Sequence, residues 1–193
     1  MIKVLHLYYD LMNLYGESGN ILAITNHLKN KKLDYKVDYK SIGDKINFDD
    51  YNLVYIGCGT ENNQKIALKH LTEYKEDVKE YIDNNKVLIA TGNSYELFGK
   101  FIENTNGKRF KGLSIFNYSS KEVQDRIVKQ INNGIKGFIN SGSIVTKNHK
   151  PLFTIKDYND GFKYKNFYGT HIIGPLLVLN DNFLKDIIKS IDL

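Results

Sequence analysis

Lys86-Val87-Leu88-Ile89-Ala90-Thr91-Gly92 is an apolar run with no polar alternation, and it stops at a glycine. A strand with one buried face alternates, whereas a continuous run suits the centre of a parallel sheet covered on both faces. The same punctuation occurs upstream, where Asn52-Leu53-Val54-Tyr55-Ile56 ends abruptly in Gly57-Cys58-Gly59-Thr60. Between the two runs, residues 63–84 place Ile66, Leu68, Leu71, Val78 and Ile82 mostly on one helical face, which predicts a single long helix. Strand, glycine turn, helix and strand in that order make a parallel crossover unit.

Working toward the N-terminus, Ile2 to Tyr8 is a β-branched and aromatic run, then come the turn residues Asp10, Asn13 and Gly16 and a helical pattern through Ile21, Ile24 and Leu28. Tyr35 to Tyr39 alternates as a further strand. Toward the C-terminus, Gly112 to Asn117, Gly137 to Ile139, Ser143 to Val145 and Phe153 to Ile155 predict extra antiparallel strands. Phe167 to Leu177 is a last glycine-punctuated segment, and Asn182 to Ile191 a closing helix. The expectation is an α/β fold with a mostly parallel sheet flanked by helices. No repeat or linker divides residues 1–193, so one domain is expected.

With 41% hydrophobic and 25% charged residues the chain has the composition of a folded globular protein. Its net charge of +5 is dispersed among acidic neighbours such as Glu73-Tyr74-Lys75-Glu76-Asp77, which argues against a nucleic-acid stripe. A single cysteine, Cys58, excludes an internal disulfide or a cysteine-based metal cluster and fits a reducing cytoplasm. His6, His27, His70 and His149 are scattered without metal-ligand spacing, so neither metal nor cofactor is expected. No apolar run is long enough to span a membrane.

Ligands of such sheets bind at the carboxyl ends of the strands, where loops meet helix N-termini. Residues 57–64, 91–99 and 168–177 are the loops that qualify. They nominate Gly57, Cys58, Gly59, Thr60, Gln64, Asn93, Ser94, Glu96 and His171 as pocket residues. Ser94 also reads as a helix cap or an exposed hydroxyl, and Cys58 as an inert thiol in a turn. Glu61 joins Glu96 as a second carboxylate near the pocket, and Asp10 and Asn13 face either that pocket or a partner.

Tyr8-Tyr9-Asp10-Leu11-Met12-Asn13-Leu14-Tyr15-Gly16-Glu17-Ser18-Gly19-Asn20 resembles the N-terminal signature of class-I glutamine amidotransferases of the cobyric-acid-synthase-like branch. Within that branch the likeness is to the glutaminase subunits of lipid II isoglutaminyl synthases. The family continues with a glycine-rich loop containing Gln, Asp and Gln, loosely matched by Gly57 to Gln64. A strand ending in Cys-Gly-Gly-Tyr-Gln-Leu-Leu-Gly follows, and then Gly-Thr-Tyr-Leu-His-Gly-Pro-Leu-Leu. All blocks occur in order over almost the whole chain. The resemblance implies a flavodoxin-like amidotransferase fold and a Mur-ligase-like, ATP-using synthetase as partner.

Laid without gaps on Tyr95-Glu96-Leu97-Phe98-Gly99, the family cysteine falls on Gly92 and the two glycines after it on Asn93 and Ser94. Laid on Gly169-Thr170 and Gly174-Pro175-Leu176-Leu177, the family histidine falls on Ile173, and His171 stands two residues earlier. In the family a thiolate on a strained strand-to-helix turn attacks the glutamine amide and histidine moves the proton. Glycine cannot attack and isoleucine carries no proton. Three functions compete: a non-hydrolysing subunit that scaffolds or regulates the synthetase, an active amidotransferase with a relocated nucleophile, and a sensor binding glutamine or another amino acid. The first predicts a pocket partly filled by Asn93, Ser94 and Ile173, and a partner interface at the N-terminal signature.

Overall fold

The computed structural model describes residues 1–146, 150–156 and 158–191, so His149 lies outside the described residues. The first half alternates strand and helix: β1 (Ile2–Leu7), α1 (Ser18–Asn30), β2 (Tyr35–Lys40), β3 (Leu53–Ile56), α2 (Glu61–Leu71), α3 (Lys75–Asp83) and β4 (Val87–Thr91). A 3₁₀ turn, Gly92–Phe98, then leads into β5 (Phe101–Glu103), β6 (Arg109–Lys111), and the long hairpin β7 (Ser119–Asn133) and β8 (Ile135–Thr146). The chain closes through β9 (Phe153–Ile155), β10 (Tyr158–Asp160), β11 (Phe162–Tyr164), β12 (Phe167–Thr170), β13 (Ile172–Ile173), α4 (Leu176–Leu179) and α5 (Asp181–Lys189).

The main sheet has the order β11-β12-β4-β3-β1-β2. Its pairs are parallel except β11 with β12. The continuous apolar run of β4 sits in its middle, as expected. Leu88 and Ala90 pack into one core with Leu68, Leu71, Val78 and Tyr81, while Val87 and Ile89 face the other with Ile21, Ile24, Leu28, Leu184 and Ile187. Each such aliphatic side chain, fully buried, contributes about 1.5–3 kcal/mol. A second sheet, β13-β8-β7-β5-β6, carries the late antiparallel pairings.

The structure departs from the sequence expectations in several places. The long helix is two, separated by the 3₁₀ turn Thr72–Tyr74. Thr72 Oγ1 bonds back to the Leu68 carbonyl at 2.8 Å, a contact that competes with regular helix geometry. Gly112 to Asn117 is not a strand. The amides of Leu113, Ser114, Ile115 and Phe116 instead donate to the carbonyls of Leu97, Gly99 and Phe98, so this apolar segment wraps the 3₁₀ turn. Gly137 to Ile139 and Ser143 to Val145 are two parts of the single strand β8. Its partner β7 gave no signal because most of its side chains are at least partly exposed and many are charged or polar.

Candidate active-site cleft

The cleft lies at the carboxyl ends of β3 and β4. Directly after β4, Gly92 takes φ of +62°, the left-handed turn that a nucleophile elbow uses. The turn is pinned from below: the fully buried Ser94 donates its hydroxyl to the carbonyls of Ile56 and Thr91, at 3.0 and 2.8 Å. Ser94 is therefore neither exposed nor aimed into the cleft. Above the turn there is no room. A β-carbon placed on Gly92 would lie 2.4 Å from both Cβ and Sγ of Cys58 and 3.2 Å from Cγ2 of Ile173.

The second loop is tied to the first by Asn93, whose Nδ2 donates to the Gly59 carbonyl at 2.9 Å while its Oδ1 accepts from the Gly59 amide at 3.1 Å. Gln64 Nε2 donates to the Asn93 carbonyl at 2.7 Å. Thr60 caps α2 by accepting the Asn63 amide at 3.1 Å, and Gly57 packs against Met12 and Glu17. Cys58, Gly59, Gln64, Gly92, Asn93, Glu96 and His171 line the cleft, whereas Gly57, Thr60 and Ser94 shape it from outside. Burial pushes the Cys58 thiol up to about 12, helped by the nearby carboxylates of Glu17 and Glu96.

His171 and Glu96 form a buried pair, with Nε2 3.0 Å from Oε1. Ser143 donates its hydroxyl to the same oxygen. The other ring nitrogen stands 3.4 Å from the Tyr95 hydroxyl and 3.9 Å from Asp160 Oδ1. Burial alone would lower the imidazole's proton affinity, but Glu96 and then Asp160 outweigh it and hold His171 above the usual histidine range. Burial also raises Asp160 above the usual range.

A further carboxylate, Glu17, lies fully buried beneath the loops. Tyr55 and Thr91 donate their hydroxyls to its Oε2, whereas Oε1 makes no hydrogen bond among the described residues. Burial pushes Glu17 up to about 7 despite those donors. Of the residues set aside as facing pocket or partner, Asp10 accepts the hydroxyl of the distant Ser41 and Asn13 accepts the Ser18 amide and hydroxyl; both are exposed and neither lines the cleft.

The remaining wall comes from the β7–β8 hairpin, which supplies Glu122, Arg126, Asn140, Ser141, Gly142 and Ser143. None of these was nominated from sequence. The register shift between Glu122 and Ile127, which brings Arg126 to the cleft, has no marker in the sequence. The cleft is narrow and partly open to solvent, with a volume of about 20 Å³, room for about one water. No cluster of three metal-ligating side chains occurs among the described residues.

A doubly covered parallel sheet with a left-handed turn after its central strand fits a class-I amidotransferase scaffold. Residues 3–180 match the CobB/CobQ-like glutamine amidotransferase domain, and the chain belongs to that family. It is 28% identical over 199 residues to the lipid II isoglutaminyl synthase (glutamine-hydrolyzing) subunit GatD of Streptococcus pneumoniae, covering 94% of this chain and 76% of that one. The subunit of the same name from Staphylococcus aureus is 26% identical over 193 residues, covering 93% and 79%. Among solved structures, PurLQS from Thermotoga maritima aligns with a TM-score of 0.56 at 14% identity, covering 98% of this chain and 97% of that chain. A glutamine amidotransferase from the same organism aligns at 0.55 and 15%, covering 98% and 96%. At such identities these two establish the fold alone. No described helix is long and apolar enough to cross a membrane.

Proposed function

We propose that residues 1–193 act as one non-hydrolysing, glutamine-amidotransferase-like unit. In this reading it scaffolds or regulates a Mur-ligase-like synthetase that amidates a lipid-linked cell-wall precursor in the cytoplasm. The observation that carries the reading is the closure of Gly92 by Cys58 and Ile173. Amide hydrolysis by this fold needs a thiolate at the elbow and a base to shuttle its proton, and removal of either member of such a dyad costs several powers of ten in rate. Position 92 offers no nucleophile and position 173 no base. The cleft is narrow as it stands, with room for about one water. Retention of the scaffold without the dyad is what a subunit valued for its surface would show. ATP and Mg²⁺ would then bind to the synthetase.

One observation favours a second reading. The Cys58 sulfur fills the volume a side chain at 92 would occupy, so a displaced nucleophile would be in roughly the right place. Against it, burial keeps that thiol protonated at neutral pH, and the cleft imidazole, His171, has Nε2 committed to Glu96. Release of ammonia and glutamate from glutamine decides the matter, measured on the chain alone and with its synthetase, beside Cys58→Ala and His171→Ala. No release in either setting is expected. Release that Cys58→Ala abolishes would replace the non-hydrolysing reading with the displaced nucleophile.

A further inference from the structure

A second cavity shares His171 and Ser143 with the cleft. It has a volume of about 210 Å³, with polar lining from Tyr95, Asp160 and His171 and apolar lining from Ile127, Ile144 and Val145. The imidazole stands between the two spaces: Nε2 meets Glu96, which lines the cleft, and Nδ1 points toward Tyr95 and Asp160, which line the second cavity. Ile144 and Asn159 are exposed, so this cavity reaches solvent as the chain stands. Its walls are fixed, because β8 pairs with β13 and β7 with β5. Tyr95, Asp160 and His171 are each more than nine-tenths buried, and buried polar atoms ordinarily have close partners. Away from the cavity they do: Nε2 lies 3.0 Å from Glu96 Oε1, and Asp160 Oδ2 accepts the Thr170 hydroxyl. Toward the cavity the contacts are long. The Tyr95 hydroxyl lies 3.4 Å from Nδ1, and Asp160 Oδ1 lies 3.9 Å from Nδ1 and 3.4 Å from the His171 amide, against about 2.7–3.2 Å for an ordinary N–H···O bond.

We propose that this cavity binds a small neutral molecule with a primary carboxamide head and a short branched aliphatic body, held by Tyr95, Asp160 and His171. The amide oxygen accepts from His171 Nδ1 and from the Tyr95 hydroxyl, and the amide N–H donates to Asp160 Oδ1. These three atoms are too far apart to satisfy one another and are spaced to hold a polar group between them. Burial disfavours the charged imidazole, but Glu96 and then Asp160 outweigh it, so Nδ1 carries a proton to donate. A carboxylate in the same place would face Asp160 with Glu96 behind it. An ammonium would face the imidazolium and leave Nδ1 with no acceptor. The head is therefore neutral and is donor and acceptor at once. A hydroxyl combines both functions in one atom, whereas a carboxamide separates them across the 3.9 Å between Nδ1 and Oδ1. The aliphatic body lies against Ile127, Ile144 and Val145, whose burial adds to affinity. This site goes beyond the functional reading above and is independent of whether glutamine is hydrolysed in the cleft.

The probe is isobutyramide, titrated into the isotope-labelled full chain and followed by NMR at about pH 6, where a histidine of ordinary or raised affinity is mostly protonated. Isobutyrate and isobutylamine, of nearly the same shape, are the charged comparators. Tyr95→Phe removes one hydroxyl, and Ile144→Trp fills the cavity from an exposed position that does not line the cleft. Val128→Ala, exposed on β7, is the control, and melting is recorded for every variant. Saturable shifts are expected at Tyr95, Asp160, Gly161 and His171. Both charged comparators, and isobutyramide with either cavity variant, should bind about tenfold more weakly or worse, with the control like wild type. Four results would overturn the site: no saturable shift, equal binding of the three probes, shifts confined to Cys58 and Gly59 in the cleft, or undiminished affinity in either cavity variant. None of these readouts passes through hydrolysis, so the cavity site and the functional reading fail separately.

Discussion

Cys58 stands where a side chain on Gly92 would have to go, its sulfur 2.4 Å from the position of a β-carbon there. The missing nucleophile is therefore more than a missing atom: its volume has been taken by a residue from a different strand end. A thiol at 92 must displace Cys58, and a well-packed interior resists such insertion at about 1–3 kcal/mol. Gly92→Cys alone is expected to lower Tm and to hydrolyse no glutamine. Cys58→Gly in the same chain should recover most of the lost stability. Ammonia release should appear only when Ile173→His is added as well, and thermal melts with an ammonia assay on the three variants check this order. Activity from Gly92→Cys alone would show that the cleft accommodates a side chain that its packing opposes.

The N-terminal signature is explained largely from within. Asn20 is fully buried: its Nδ2 donates to the Tyr55 hydroxyl at 2.7 Å, and its Oδ1 accepts the Leu177 amide at 2.7 Å. One residue earlier, a β-carbon on Gly19 would lie 2.7 Å from Cγ of Pro175. The signature and the Gly174-Pro175-Leu176-Leu177 block are two halves of one contact. Asn20→Ala orphans a backbone amide and is expected to cost about 1–3 kcal/mol, read as a fall in the urea midpoint at constant m-value. A neutral result would mean that water replaces the side chain.

Much of the frame was legible because burial on both faces leaves an unmistakable pattern in β3 and β4, and because glycine punctuates their ends. The elbow was placed on Gly92 by the family resemblance, and Gly92 takes a left-handed φ of +62° in the structure. Arg126, Asn140 and Ser143 were not legible, because they come from a hairpin whose exposed faces carry no periodic apolar signal. Asp160 and Glu17 were missed for another reason. Each is a buried acid, and only contact with Thr170 and His171, or with Tyr55 and Thr91, distinguishes it from the surface acids common in this chain. Ser94 was misplaced because a hydroxyl early in a helix ordinarily caps it, whereas here it turns inward to the end of β3.

The Glu96–His171 pair should behave as a unit. Removing one member of a buried ionic pair strands the other and costs about 3–5 kcal/mol, while replacing both by apolar side chains costs far less. Glu96→Leu and His171→Leu are each expected to be strongly destabilising, and the double variant is expected to be more stable than the sum of the singles by about 2 kcal/mol or more. Urea melts of the four proteins form the cycle. Simple additivity would mean that the 3.0 Å contact carries no coupling.

Two buried groups bias the pH dependence of stability in opposite directions. Burial pulls His6 down from 6.5 to about 4, with both ring nitrogens unpartnered among the described residues. The unfolded chain binds that proton more readily, so this contribution is complete above pH 6.5 and is lost as pH falls toward 4. Burial pushes Glu17 up from 4.5 to about 7. Here the folded chain binds the proton more readily, so the contribution is complete below pH 4.5 and is lost as pH rises through 7. Each spans about 3 kcal/mol, and over their shared window they largely cancel. Asp160 and His171, both raised, add to the Glu17 direction. His6→Phe should therefore unmask a stability that falls steadily between pH 4.5 and 7, and Glu17→Gln one that rises over the same interval relative to wild type. Urea melts at half-unit pH steps read both slopes. If the His6→Phe curve runs parallel to wild type, the buried imidazole titrates normally and its aromatic surroundings of Tyr9, Tyr39 and Tyr55 admit water.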